Sequence, residues 1–141
     1  MSKILALDYG TKRCGIAETD ELRIVASPLE VVHPNELLFF FEKYFAKNEV
    51  EILVVGQPVR MSGELSEVEN HILAFIEKFR KAFPDIDVER INEANTSKLA
   101  MMSMVQSGAK KKARKVKENL DKISATLILQ QFLESKRNTI T

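Results

Sequence analysis

Ile4-Leu5-Ala6-Leu7-Asp8-Tyr9-Gly10-Thr11-Lys12-Arg13-Cys14-Gly15-Ile16-Ala17 decides how this chain folds. The unbroken apolar run Ile4–Leu7 has no polar alternation, so it reads as a strand buried on both faces in the middle of a sheet. A carboxylate at the end of such a strand is costly unless a cation or several hydrogen bonds hold it. Gly10 supplies a tight turn into a second strand, Cys14–Ala17. An acid leaving the centre of a sheet, beside a threonine and two cations, suits a metal or a phosphate-bearing ligand. This stretch is the expected floor of an active site.

Working outward, Leu22–Val32 reads as a third strand, placed at an edge because Pro28 cannot donate to a ladder. Three strands joined by short turns make an antiparallel meander. The period then changes. Pro34 suits a first helical turn, and Leu37, Leu38, Phe41, Tyr44 and Phe45 recur at helical spacing. Ile52–Gly56 is a second buried strand. A loop over Gln57–Gly63 leads to a helix with Leu65, Val68, Ile72, Phe75, Ile76, Phe79 and Phe83 on one face, ended by Pro84. Ile86–Ile91 is a weaker strand. Asn92–Thr96 leads into a Met-rich helix (Met101, Met102, Met104) stopping near Gly108, and a last helix spans about Asn119 to Glu134. The result is a mixed five-stranded α/β sheet, three strands antiparallel and two parallel, with helices on both faces.

A length of 141 residues fits one domain, expected over residues 1–135, with a frayed tail at 136–141. One cysteine, Cys14, excludes an internal disulfide framework and a Cys-rich zinc site. Neither an apolar leader nor a bilayer-length apolar run is evident, so the expected compartment is the cytoplasm, away from membranes. Net charge is only +1, yet Lys110, Lys111, Lys112, Arg114, Lys115 and Lys117 form a run of six cations with no acid among them. Such a run is either a solvated helix end or a segment that grips phosphates.

Ligands in open α/β sheets collect beyond the carboxyl ends of the strands. Asp8 lies at one such end and Glu93 at another. Asp121 falls in the first turn of the expected last helix, on the border of a face formed by Leu120, Ile123, Leu127 and Ile128. Taken singly, Asp121 could merely complement a helix dipole and Glu93 a helix start. Together, three carboxylates meeting at one sheet edge suit Mg²⁺ or Mn²⁺, which prefer hard oxygen ligands. Two such ions about 4 Å apart are the usual device for in-line phosphodiester hydrolysis. No Ser-His-Asp or Cys-His set competes; His33 and His71 are the only histidines, and His71 reads as a surface residue.

The stretch from Leu5 to Ala17 resembles the opening motif of the YqgF/RuvX family, ribonuclease-H-like nucleases related in fold to Holliday-junction resolvases. Val54-Val55-Gly56-Gln57-Pro58 with Met61 and Gly63 resembles that family's second motif, and Asp121–Gln130 its last. The likeness runs from Ile4 to about Leu133. It implies a ribonuclease-H-like fold and a metal-dependent nuclease acting on structured RNA or branched DNA, in ribosomal RNA precursor processing or Holliday-junction resolution. It further implies that Asp8, Glu93 and Asp121 bind the catalytic Mg²⁺ or Mn²⁺. Lys12, Arg13 and the six cations of 110–117 would then hold nucleic acid. The molecule is expected to be a monomer or homodimer.

Two positions depart from the family's middle motif. An Asp is replaced by Asn92 and an Arg by Ala94. The first change removes negative charge that would hold a second cation, and the second removes a fork-shaped phosphate donor. The alternative they leave open is a nucleic-acid-binding protein of the same fold with a weak or inactive metal site. Asp8-Tyr9-Gly10-Thr11 also looks like the phosphate loop of the actin and sugar-kinase superfamily, but those proteins close two such domains over a nucleotide and this chain has one copy.

Overall fold

The computed structural model describes residues 2–59, 66–96 and 110–139, with side chains described throughout except at Asn95, 110–122, 138 and 139. Five strands form one sheet: β1 (Lys3–Asp8), β2 (Cys14–Thr19), β3 (Ala26–Val32), β4 (Val50–Gln57) and β5 (Asp87–Asn92). Their spatial order is β3-β2-β1-β4-β5. The β1–β2 and β2–β3 pairs are antiparallel, whereas β1–β4 and β4–β5 are parallel. The two strands with unbroken apolar runs therefore sit side by side at the centre, as their composition demands.

Three helices are described: α1 (Leu37–Lys47), α2 (Glu69–Ala82) and α3 (Lys110–Thr139). Helices α1 and α2 cover one face, where Leu5, Leu7, Leu53 and Val55 meet Phe41, Ile72 and Phe79. Phe41, Phe45, Phe79 and Phe83 continue that core as an aromatic cluster, with the Phe45 and Phe83 rings edge to face at 4.9 Å. Helix α3 covers the other face through Ala125, Ile128, Leu129, Phe132 and Leu133, packed on Ile4, Ala6, Ala17 and Val54. Small residues in the middle of β1 and β2 let this helix lie close to the sheet.

Several sequence expectations need adjustment. Strand β3 begins at Ala26, and Leu22, Ile24 and Val25 are exposed in the connection before it. There Asp20 accepts the backbone N–H groups of Ile24 and Val25 and so organises a turn that the apolar run alone does not reveal. Pro28 does lie on an edge strand, next to a register shift. Helix α2 begins at Glu69, and Leu65 lies outside the described residues, as does the Met-rich segment up to Gly108. The last helix is far longer than its apolar period suggested, running unbroken from Lys110. Asp121 is therefore an interior residue, and the helix-dipole reading of it does not apply. Of the expected face, Ile128 is buried as read, Ile123 and Leu127 are only partly buried, Leu120 lies outside the described side chains, and Ala125, Leu129 and Phe132 complete the stripe. At the other end the helix runs to Thr139; the Lys136 ammonium lies over the Phe132 ring at 5.3 Å, and Arg137 donates to the Ile24 carbonyl.

Candidate active site at the carboxyl edge of the sheet

Alternation along the strands assigns each candidate to a face. Ile4 and Ala6 of β1 pack under α3, so Asp8, next in that series, leaves the strand on the α3 side. Ile52 and Val54 do the same in β4, which puts Gly56 on that side too. A Cβ added at Gly56 would lie 2.6 Å from Ile128 Cδ1 and 2.8 Å from Glu93 Oε1. The absence of a side chain at 56 is thus what gives the Glu93 carboxylate and the Ile128 methyl their places. Glu93 is only 3% exposed. It follows β5 in a short 3-10 turn, Glu93–Asn95, and Ile91 before it faces α3.

Leu7 pairs with Val55 across β1 and β4, so Asp8 and Gly56 are neighbours one step beyond. Adjacent strands lie about 4.8 Å apart, and a carboxylate resting over Gly56 is one strand spacing from Asp8. Asp8 and Glu93 therefore lie on one face and at one edge of the sheet. Asp121 belongs to α3, seven residues before Ile128 and four before Ala125; its side chain lies outside the described residues. Among the described residues no three His, Cys, Asp or Glu side chains converge, so the described part of the site is this pair.

The turn after Asp8 is sterically tight, since a Cβ at Gly10 would collide with the Arg13 carbonyl oxygen. Lys12 and Arg13 are exposed there, beside the end of β1. Cys14 is fully buried; burial pushes its thiol up to about 11, and the nearby Asp8 charge adds to the shift. It stays protonated near neutral pH, and it packs on the α1–α2 side of the sheet, the side opposite Glu93. The side chains of Lys110, Lys111, Lys112, Arg114, Lys115 and Lys117 lie outside the described residues, although their backbone forms the first turns of α3.

Asn92 has a defined task. Its Oδ1 accepts the Ala94 N–H at 2.8 Å and caps the turn that carries Glu93. Asn and Asp cap about equally well, so this structural role survives the departure from the family motif. Asn92 and Ala94 are both exposed.

One ion pair escaped sequence reasoning. On the α2 face, Arg90 donates to both carboxylate oxygens of Glu69, at 2.7 and 3.0 Å, and to the carbonyls of Val55 and Gly56, at 3.1 and 3.0 Å. Gln57 donates to the same carboxylate at 3.1 Å. Burial raises the Glu69 carboxyl, but the hydrogen bonds from Arg90 and Gln57 outweigh it and hold the group below its ordinary value. The guanidinium fork thus ties the start of α2 to the end of β4, directly beneath Gly56. The available signal was Glu69 itself, an acid on the buried Ile72–Ile76–Phe79 stripe of its helix.

A mixed sheet in this order, with helices on both faces and acids at the ends of its parallel strands, defines the ribonuclease-H-like α/β class. Within it, the RuvX family model, described as Holliday junction resolvase, matches residues 2–135, and the chain belongs to that family. It is 50% identical over 133 residues to "Putative pre-16S rRNA nuclease" of Christiangramia forsetii, covering 94% of this chain and 98% of that one. A relative of the same name from Amoebophilus asiaticus is 48% identical over 141 residues, covering 99% and 100% of the two chains. YeaZ from Pseudomonas aeruginosa, a solved structure, superposes with a TM-score of 0.43 at 22% identity over 77% of this chain and 50% of that one, too loosely to bear on function. No described helix is long and apolar enough to cross a membrane.

Proposed function

We propose that this protein is a metal-dependent endonuclease that hydrolyses phosphodiester bonds in structured nucleic acid, with Asp8, Glu93 and Asp121 as its working acids. The observation that carries the proposal is the Glu93 carboxylate, buried over the bare α-carbon of Gly56 one strand away from Asp8. The oxygen-only donor set of these acids fits Mg²⁺ or Mn²⁺. When bound, such an ion activates water and offsets charge on the phosphate and leaving oxygen.

The chain's own groups supply the rest. Asp8 and Glu93, from neighbouring rigid elements, hold their carboxylates at fixed separation, and Ile128 excludes water from one side of Glu93. Lys12 and Arg13, on the turn after Asp8, orient the phosphate, and the cations of the first turns of α3 hold the flanking backbone by displacing its counterions. Ribosomal RNA precursors and branched DNA are the two substrate classes to compare.

The test is cleavage of a labelled small-subunit rRNA precursor and of a four-way DNA junction, with Mg²⁺, Mn²⁺ or EDTA, by wild type and Asp8→Asn. Cutting that needs the ion and disappears in the variant supports the assignment. An undiminished rate in Asp8→Asn overturns it, and binding without cutting under any ion makes Asn92 and Ala94 the positions to restore.

A further inference from the structure

The carboxyl edge of the sheet carries a concavity on the face opposite Glu93. Successive side chains of an extended chain point to opposite sides, so Asp8 and Tyr9 diverge: Tyr9 packs with the α1–α2 core while Asp8 faces α3. Beside Tyr9 lies a cleft of about 280 Å³ between α2 and the turn that opens α1. Leu38 and Phe75 make its floor, and Tyr9, Asn35, His71 and Lys78 its rim. The Tyr9 ring is braced against Phe75, with centroids 5.8 Å apart, yet remains partly exposed.

Charge in the cleft has one sign. No carboxylate lines it. Glu77, the acid preceding Lys78 on α2, pairs with Lys81 at 3.5 Å, and Lys78 has no ion pair among the described residues. His71 and Lys78 are seven residues apart, so they share one face of α2, and the lysine side chain leans back toward the strand end that carries Tyr9. An aromatic platform, an amide, and a cation with an imidazole around a small apolar floor match the three parts of a nucleotide: a base face, base-edge hydrogen bonds and a phosphate.

We propose that this cleft binds one nucleotide of the substrate strand flanking the scissile phosphate, its base against Tyr9 and its phosphate at Lys78 and His71. The inference rests on the nuclease reading of Asp8 and Glu93 for its biological meaning. Consecutive α-carbons are 3.8 Å apart, so the strand end that carries Asp8 leads directly into the cleft. A chain passing over the edge of the sheet would meet the acids on one side and the cleft on the other.

The experiment is a nuclear magnetic resonance titration of the full chain with adenosine and uridine 5′-monophosphate, and with inorganic phosphate as the comparison. Saturable shifts at Tyr9, Asn35 and His71 are expected with the nucleotides. Lys78→Glu should abolish them, and Tyr9→Leu, which keeps the packing on Phe75, should weaken binding about tenfold. His71→Glu provides a second exposed substitution that adds a negative charge, should Lys78→Glu disturb folding. No saturable shift at millimolar nucleotide, shifts untouched by both glutamate substitutions, or phosphate binding as tightly as the nucleotides would each overturn the proposal. The titration requires no cutting, so a silent cleft leaves the Asp8 assignment standing, and an active Asp8→Asn leaves the cleft standing.

Discussion

Gly56→Ala is the sharpest probe of the site, because one methyl group tests the placement of Glu93. The added Cβ would meet Glu93 Oε1 at 2.8 Å and Ile128 Cδ1 at 2.6 Å, where ordinary contact begins at 3.4 Å. The carboxylate must therefore retreat by at least about 0.6 Å, and the isoleucine methyl by slightly more. Overpacking of this kind costs about 1–3 kcal/mol, offset by about 0.5–1 kcal/mol from replacing a strand glycine. Net destabilisation of about 1 kcal/mol is expected in urea unfolding. Displacing a working group by about 1 Å can cost about 100-fold in rate, so single-turnover cleavage should fall far more than stability does. Ile128→Val removes the Cδ1 methyl, so the pair Gly56→Ala/Ile128→Val should regain stability without regaining activity, since Glu93 is still displaced. A folded Gly56→Ala protein that cleaves at the wild-type rate would refute the placement of Glu93 in the reaction.

Arg90→Met leaves Glu69 in its partly buried place without its partner and should cost about 3 kcal/mol in denaturant unfolding, whereas loss within 0.5 kcal/mol would show that the clamp is ornamental. The folded Glu69 carboxyl is held below its ordinary 4.5, so its contribution is fully present above that value and is lost as pH falls through the lower folded value. Stability profiles of wild type and Glu69→Gln should therefore diverge above pH 4.5 and converge in more acid solution; parallel profiles would contradict the linkage. With its thiol raised to about 11 and fully buried, Cys14 should react with a disulfide reagent at pH 8 only as fast as the protein unfolds, and rapid labelling of the native protein would contradict that burial. Asp121→Asn should abolish cleavage as Asp8→Asn does, without loss of folding; full activity would remove it from the proposed set.

Much of the architecture is legible in the chain because the strong signals are local. The apolar runs of β1 and β4 have no polar alternation, so they could only be central, and Pro28 could only be at an edge. Alternation then predicts that Asp8 and Glu93 share a face. Gly56 was read as part of a motif, and its role emerges only once Ile128 and Glu93 arrive from distant parts of the sequence. The Glu69–Arg90 clamp joins residues 21 apart through a strand pairing that no local period encodes. The last helix is expected only from about Asn119 because the lysine-rich stretch before it carries few apolar residues, whereas α3 runs from Lys110. Lys, Arg, Ala and Glu are good helix formers, so propensity favours a helix through the lysine-rich stretch.

The unbroken α3 also fixes a phase relation. Lys110–Lys117, Asp121 and the sheet-packing residues Ala125–Leu133 share one rod of 30 residues, about 45 Å long. The backbone of residues 110–117 is therefore geared in phase to the turn at which Ile128 meets Gly56. One residue inserted between Lys117 and Asp121 would swing the cationic segment by about 100° about the axis, whereas seven would bring it back to within about 20° while moving it about 10 Å outward. Nucleic-acid affinity should follow that angular beat rather than total charge, which is the same in every such insertion of alanines.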